Sequence, residues 1–302
     1  MSPFKASLES LSLEFDSCLL EEIDLSPLQS YPNLGSVKLS GIIERGADLF
    51  PVLREMNNVT DLHISHIGFA SLSFTLLNLF AITGLRSLWL DIIGDSIMEE
   101  APLFPPFPNL TQLEIIGRGV GGSLRCLSTL VQLSLSLEGE ETDAFLDSLV
   151  CMPRLETLKI KHGAGLSLRG YAFSNLKRLK FLQLEGRADV QADFFPSLIS
   201  LPELTKLVFD VVPWNEYRHS FSISQICLLT QLTSLGIFLR DGWMALDFFQ
   251  YGQFPKLRRL EVWSPGGISP DEEAELYRRL PCLCKLDHSQ VFLDCFDFNL
   301  ES

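Results

Sequence analysis

The chain has 302 residues, 46% of them hydrophobic, with a formal net charge of −14 and a pI near 4.8. So acidic a balance argues against nucleic acid as the partner, and no apolar run approaches the ~20 residues of a membrane helix. Seven scattered cysteines give no disulfide framework, and "MSPFKASLES" at the N-terminus lacks the apolar core of a signal peptide; both point to a reducing compartment, cytoplasmic or nuclear.

Short runs with period-two alternation recur along the whole chain. They read "LESLSL" from Leu8, "LGSVKL" from Leu34, "VTDLHI" from Val59, "LRSLWL" from Leu85, "LTQLEI" from Leu110 and "LVQLSL" from Leu130. The second half continues with "LETLKI" from Leu155, "LKFLQL" from Leu179, "LTKLVF" from Leu204, "LTSLGI" from Leu232, "LRRLEV" from Leu257 and "LCKLDH" from Leu283. In each run the apolar residues alternate with polar ones, so each is a strand with one face inward and one outward. Between strands, "TDAFLDSLV" (142–150) has helical spacing behind a Thr142 cap. "SPDEEAELYRRL" (269–280) carries a capping box from Ser269 to Glu272 with Pro270 at the first helical position. "ADLFPVLREM" and "SLSFTLLNLF" are weaker helix candidates, "GRGVGG" reads as a tight loop, and "VVPWNEYRHS" as a longer excursion. Pro32, Pro108, Pro153, Pro202, Pro255 and Pro281 each stand two residues before the first Leu of a repeat. Each marks the turn into its strand, because proline continues no helix.

A period of about 25 residues, with the pattern L-x-x-L-x-L, is the signature of a leucine-rich-repeat solenoid. The fold class expected is therefore α/β: a ribonuclease-inhibitor-like horseshoe of about twelve repeats. It has a parallel concave sheet, with helices and loops on the convex side. Twelve strands about 4.8 Å apart make an arc on the order of 50 Å. The repeat runs from residue 8 to residue 288 without a linker, so residues 1–302 read as one domain. The units "SLPELTKLVF" and "QFPKLRRLEV" resemble the leucine-rich regions of fungal-type F-box proteins. That resemblance implies the substrate-receptor part of a ubiquitin ligase; it covers the repeats, and the seven residues before Leu8 hold no F-box. Eight residues after the first Leu, where many families place an Asn, stand Ile42, Ile67, Ile93, Arg118, Gly163, Arg187 and Val212. That favours irregular, helix-backed repeats.

Little in the chain points to chemistry. His63 and His66, three apart in one strand, are expected on opposite faces and so share no metal. Cys282 and Cys284 lack the second pair of a zinc site and read as packing residues beside the last strand. No nucleotide-binding or nucleophile motif is present. The reading is a non-catalytic module with no cofactor and no metal, monomeric, that binds a protein on its concave face and neither nucleic acid nor membrane. The alternatives are a regulator of an enzyme, such as a GTPase-activating protein, or the sensor region of an immune-type receptor.

Charge is uneven along the chain. Residues 1–150 carry 20 acids and 7 bases, whereas residues 154–187 carry eight bases and two acids. Cations and aromatics are the usual anchors of an interface. The expected partner site is thus Lys159, Lys161, Phe181, Lys206, Phe238, Arg259 and Trp263, on the concave side of repeats 7 to 11. Phe238, Trp243 and Trp263 are expected just beyond the strands, with Arg240 near. Trp89 is the one large aromatic among the outward positions of the first six repeats.

Overall fold

Each L-x-x-L-x-L run becomes a strand that pairs with the same run of the next repeat. The computed structural model describes residues 8–19, 26–43, 58–68, 79–93, 104–118, 124–138, 143–213, 223–238, 254–263 and 267–289. Among these, twelve parallel strands form one sheet in sequence order. They are β1 (Ser10–Leu19), β2 (Ser36–Ile43), β3 (Asp61–Gly68), β4 (Ser87–Ile93), β5 (Gln112–Arg118) and β6 (Gln132–Glu138). Then follow β7 (Thr157–Leu168), β8 (Phe181–Val190), β9 (Lys206–Pro213), β10 (Ser234–Phe238), β11 (Arg259–Trp263) and β12 (Lys285–Ser289). The register repeats without slippage at the motif: Leu88 pairs with Leu113, Leu113 with Leu133, Leu133 with Leu158 and Leu158 with Leu182.

A second ladder ties the repeats together ahead of the strands. The two N–H groups after each first Leu both donate to one carbonyl of the preceding repeat, as Lys180 and Phe181 do to Glu156 and as Thr205 and Lys206 do to Lys180. The six prolines sit in the turns that lead into this ladder. After Tyr31, Met152, Leu201, Phe254 and Leu280 the turn is closed by the N–H of the residue three ahead, which puts Pro at the position where its fixed φ is preorganised. In two repeats an asparagine one residue before the motif bonds the preceding repeat. Asn58 donates to the Pro32 carbonyl and Asn109 to that of Thr83.

The inward leucines form a continuous core closed from behind by short helices. Leu158, Leu182, Leu204 and Leu235 are fully buried; each such side chain contributes roughly 1.5–3 kcal/mol. Two predicted helices form, Asp143–Leu149 and Pro270–Arg279, the second with its reciprocal capping box at Ser269 and Glu272. Thr142 lies outside the described residues. Two shorter helices, Gly170–Phe173 and Phe194–Ile199, were not signalled by periodicity, being too short to show one. They carry an aromatic knot in which Phe194 meets Phe173 at 5.2 Å and Phe195 at 5.1 Å, with Phe209 against both Phe194 and Phe195. The weaker helix candidate 47–56 lies outside the described residues, as do residues 71–78 of the candidate 71–80, 119–122 of the loop 117–122 and 214–220 of the excursion 211–220; Gly117 and Arg118 belong to β5, and Val211–Pro213 to β9.

Strands bend where they leave the motif, seven residues after its first Leu. Gly117 (φ 145°) and Gly186 (φ 113°) stand there, and a Cβ on Gly186 would fall 1.9 Å from the His162 carbonyl oxygen. His66 takes the same place with φ 62°, beside a shift of register between Ile64 and Ile67. This bulge corrects the expectation from strict alternation, which sends His66 into the core. The imidazole is instead exposed and lies 3.7 Å from the Asp91 carboxylate, as a bulge re-aims the residues that follow it. Cys282 and Cys284 are likewise exposed rather than packed, because they flank Leu283 in the turn, where only that leucine points inward.

Candidate functional site

The outward residues of the motif make two rows across the sheet. The first runs through Ser87, Gln112, Gln132, Thr157, Phe181 and Lys206; the second through His63, Trp89, Glu114, Ser134, Lys159 and Gln183. Both rows are half-buried or exposed, while the residues between them are buried. One face of the sheet is therefore open, and its side chains are fixed to a ~4.8 Å lattice by the strands beneath.

The structure brings four of the seven expected residues into one patch. Lys159 and Lys161 project from β7, Phe181 from β8 and Lys206 from β9, and Phe181 registers between Thr157 and Lys206. The Lys159 ammonium stands 5.8 Å from the centre of the Phe181 ring, within cation–π range. Lys161 pairs in register with Glu185. The other three lie further along. Phe238 and Trp263 are register partners that end β10 and β11, not residues beyond the strands, because those strands run one residue past the motif. The Trp263 ring is half-buried over Gly236, where an added Cβ would come within 3.0 Å of it. Arg259 contributes little free charge: its guanidinium is 2.6 Å from Glu261 and 3.4 Å from Asp287, and Lys285 is 2.7 Å from Asp287. These cations hold the Asp287 carboxyl below its ordinary range, Lys285 most of all. Arg240 and Trp243 lie outside the described residues.

The basic stretch 154–187 does not make a single surface. Lys159 and Lys161 are on the open face, whereas Arg154, Lys177 and Arg178 stand in the turns that enter β7 and β8. Lys180, next to the second of these turns, is bonded to Glu156 at 2.8 Å.

A second feature lies over β3 to β6. Trp89 stands upright with the His63 ring stacked on one side at 3.6 Å and 13°. His63 also bonds the Ser65 hydroxyl at 3.2 Å. Its pKa is lowered, chiefly by burial and further by Lys38, against an opposing pull from Asp91, so the ring is neutral near pH 7. On the other side of Trp89 the outward residues of β5 and β6, Gln112, Glu114, Gln132 and Ser134, border a hollow of about 140 Å³, bounded across the sheet by Lys159. Small-molecule pockets run to ~300–1,000 Å³, so this one suits a single side chain. The sequence singled out Trp89; what it hid was the stack, since His63 and Trp89 are 26 residues apart and meet only through register. Among the described residues, no group of three His, Cys, Asp or Glu side chains is placed to hold a metal ion.

No family model and no curated protein sequence matches this chain. Solved structures do. An internalin (inlF) of Listeria monocytogenes superposes with a TM-score of 0.53 at 15% identity, over 94% of this chain and 87% of that one. An internalin C2 (inlC2) of the same organism aligns with a TM-score of 0.41 at 16% identity, over 76% of this chain and 80% of that one. The first likeness, with the unbroken parallel sheet and the repeat, establishes a leucine-rich-repeat solenoid.

Proposed function

We propose that this solenoid is a non-catalytic recognition module that binds a protein along the concave, open face of its sheet. The observation that carries the reading is the patch of Lys159, Lys161, Phe181 and Lys206. It sets the Lys159 ammonium against the Phe181 ring, with Lys161 and Lys206 at nearby register positions, in a chain that is elsewhere acidic. Cations steer an acidic segment and aromatics anchor it. Trp263 extends the site across β11, its ring already held by Gly236, which lowers the ordering cost of binding. The finer reading, a substrate receptor of an F-box-like ubiquitin ligase, rests on the resemblance of the repeat units. Exposed thiols at Cys126, Cys151, Cys282 and Cys284 suit the cytoplasmic or nuclear setting that this role requires.

The test uses short random peptides displayed on phage and selected on the immobilised protein. Phe181→Ala or Trp263→Ala should weaken the selected peptides by roughly 1–3 kcal/mol. Lys159→Glu with Lys161→Glu should mainly slow association and flatten its salt dependence. Arg154→Glu with Lys177→Glu, in the turns, should leave binding unchanged. The opposite ranking would move the site off the open face. Copurification with a ligase adaptor tests the finer role.

A further inference from the structure

The hollow beside Trp89 holds a carboxylate, Glu114, that forms no ion pair among the described residues, the nearest cation in its lining being Lys159 two strands away. Glu114 registers between Trp89 and Ser134 and is half-buried. Among the described residues no cation is bonded to it, while Ser87, Gln112, Gln132 and Ser134 around it are uncharged. A carboxylate that is half-buried and unpaired keeps its lone pairs for a charge-assisted hydrogen bond to a cation brought from outside. Three features narrow that cation. The hollow is of side-chain size, too small for a metabolite of ordinary dimensions. One of its walls is the exposed face of an indole whose other face is covered by a neutral imidazole. A flat cation stacks on such a wall, and a guanidinium does so better than an ammonium. The far wall is Lys159, which repels a cation and confines it to the half of the hollow next to Glu114.

We infer that the Trp89–Glu114 hollow is an arginine slot, taking the guanidinium of an extended partner segment between the indole and the carboxylate. The inference rests on the reading of the open face as a protein-binding surface and specifies its partner. The segment carries an arginine over β4 and β5, and acidic residues toward Lys159 and Lys206. The cation–π pair of Lys159 with Phe181 is the boundary between the two halves. Glu114 stands in the outward row between Trp89 and Ser134, so changing it leaves the inward leucines in place, and Trp89 is not needed for the decisive variants.

The same peptide selection decides the matter, with three forms of the protein compared. On the wild type, recovered peptides should share an arginine at one aligned position, and Glu114→Gln should weaken them tenfold or more. Selection on Glu114→Lys should lose that arginine and recover an acidic residue in its place. Peptides that lack a common arginine, or that bind Glu114→Gln as well as the wild type, overturn the slot. If such peptides are still lost on Lys159→Glu with Lys206→Glu, the open face remains the binding surface and only the slot fails. If they are indifferent to both sets of changes, the open-face reading falls as well. Peptides with lysine in place of arginine overturn the assignment to a guanidinium.

Discussion

The middle of the solenoid and its first strand use the same motif to opposite effect. In β7 to β9 the inward leucines are sealed: Leu158, Leu182 and Leu184 have no exposed surface. Three helices and the Phe173–Phe194–Phe195–Phe209 knot lie behind them. In the first repeat, Leu8, Leu11 and Leu13 are only partly buried, with β2 as the one strand beside β1 in the described sheet. A repeat cannot bury its own apolar face, so stability comes from neighbours and not from the motif.

The largest break in that comparison comes from the knot. Phe194→Ala removes a fully buried ring that touches three others and should cost about 3–5 kcal/mol. Leu13→Ala deletes a half-exposed side chain and should cost under ~2 kcal/mol. Denaturant melts of the two variants read the difference. Equal losses would show that the first repeat is as tightly supported as the middle.

Next in size is an acid sensitivity built into the middle block. His162, in β7, is 3% exposed and neither ring nitrogen has a hydrogen-bond partner. Burial lowers its pKa from 6.5 to about 4. Between those values the unfolded chain binds the proton and the folded chain does not, so stability falls as pH drops from about 6.5 to about 4, and is flat outside that window on this account. The loss approaches about 3 kcal/mol. His162→Leu should remove this slope and be neutral or stabilising at pH 7, because an unpartnered polar ring gives way to an apolar one. Parallel slopes in wild type and variant, from melts at a series of pH values, would show that the ring finds a partner when charged.

How much of this was legible follows from what the signal was. Strands, register and open face were readable because the two-residue alternation and the 25-residue period are local and repeated; Lys159 and Phe181 fall where the motif puts them. Features that depend on the end of each strand were not. His66 left the alternation at a bulge, Phe238 and Trp263 proved to be strand residues, and the exit position seven after the first Leu takes positive φ at Gly41, His66, Gly117 and Gly186 but at Ile92, Leu137, His162 and Val211 does not. The Trp89 hollow was invisible because its walls come from four successive strands, Trp89, Glu114, Ser134 and Lys159, which meet only through register.

The smallest effect tests whether the far end resembles the middle or the beginning. The helix Pro270–Arg279 precedes β12 and buries Leu276 alone against the core. With so little packing, its own ends matter more than those of a helix held by neighbours. Ser269 accepts from the Glu272 N–H while the Glu272 carboxylate accepts from the Ser269 N–H at 2.9 Å. Glu275, bonded to Arg278 and Arg279, has its pKa pulled down to about 2. Ser269→Ala removes one half of the capping box and should cost about 1 kcal/mol. If the last repeat unfolds with the rest, global melts will register that loss. If it frays separately, global stability will hold while amide exchange in β12 and the helix quickens and exchange in β7 to β9 stays the same. The second outcome is the one expected of a nearest-neighbour solenoid, where a local loss at one end is not shared by the centre.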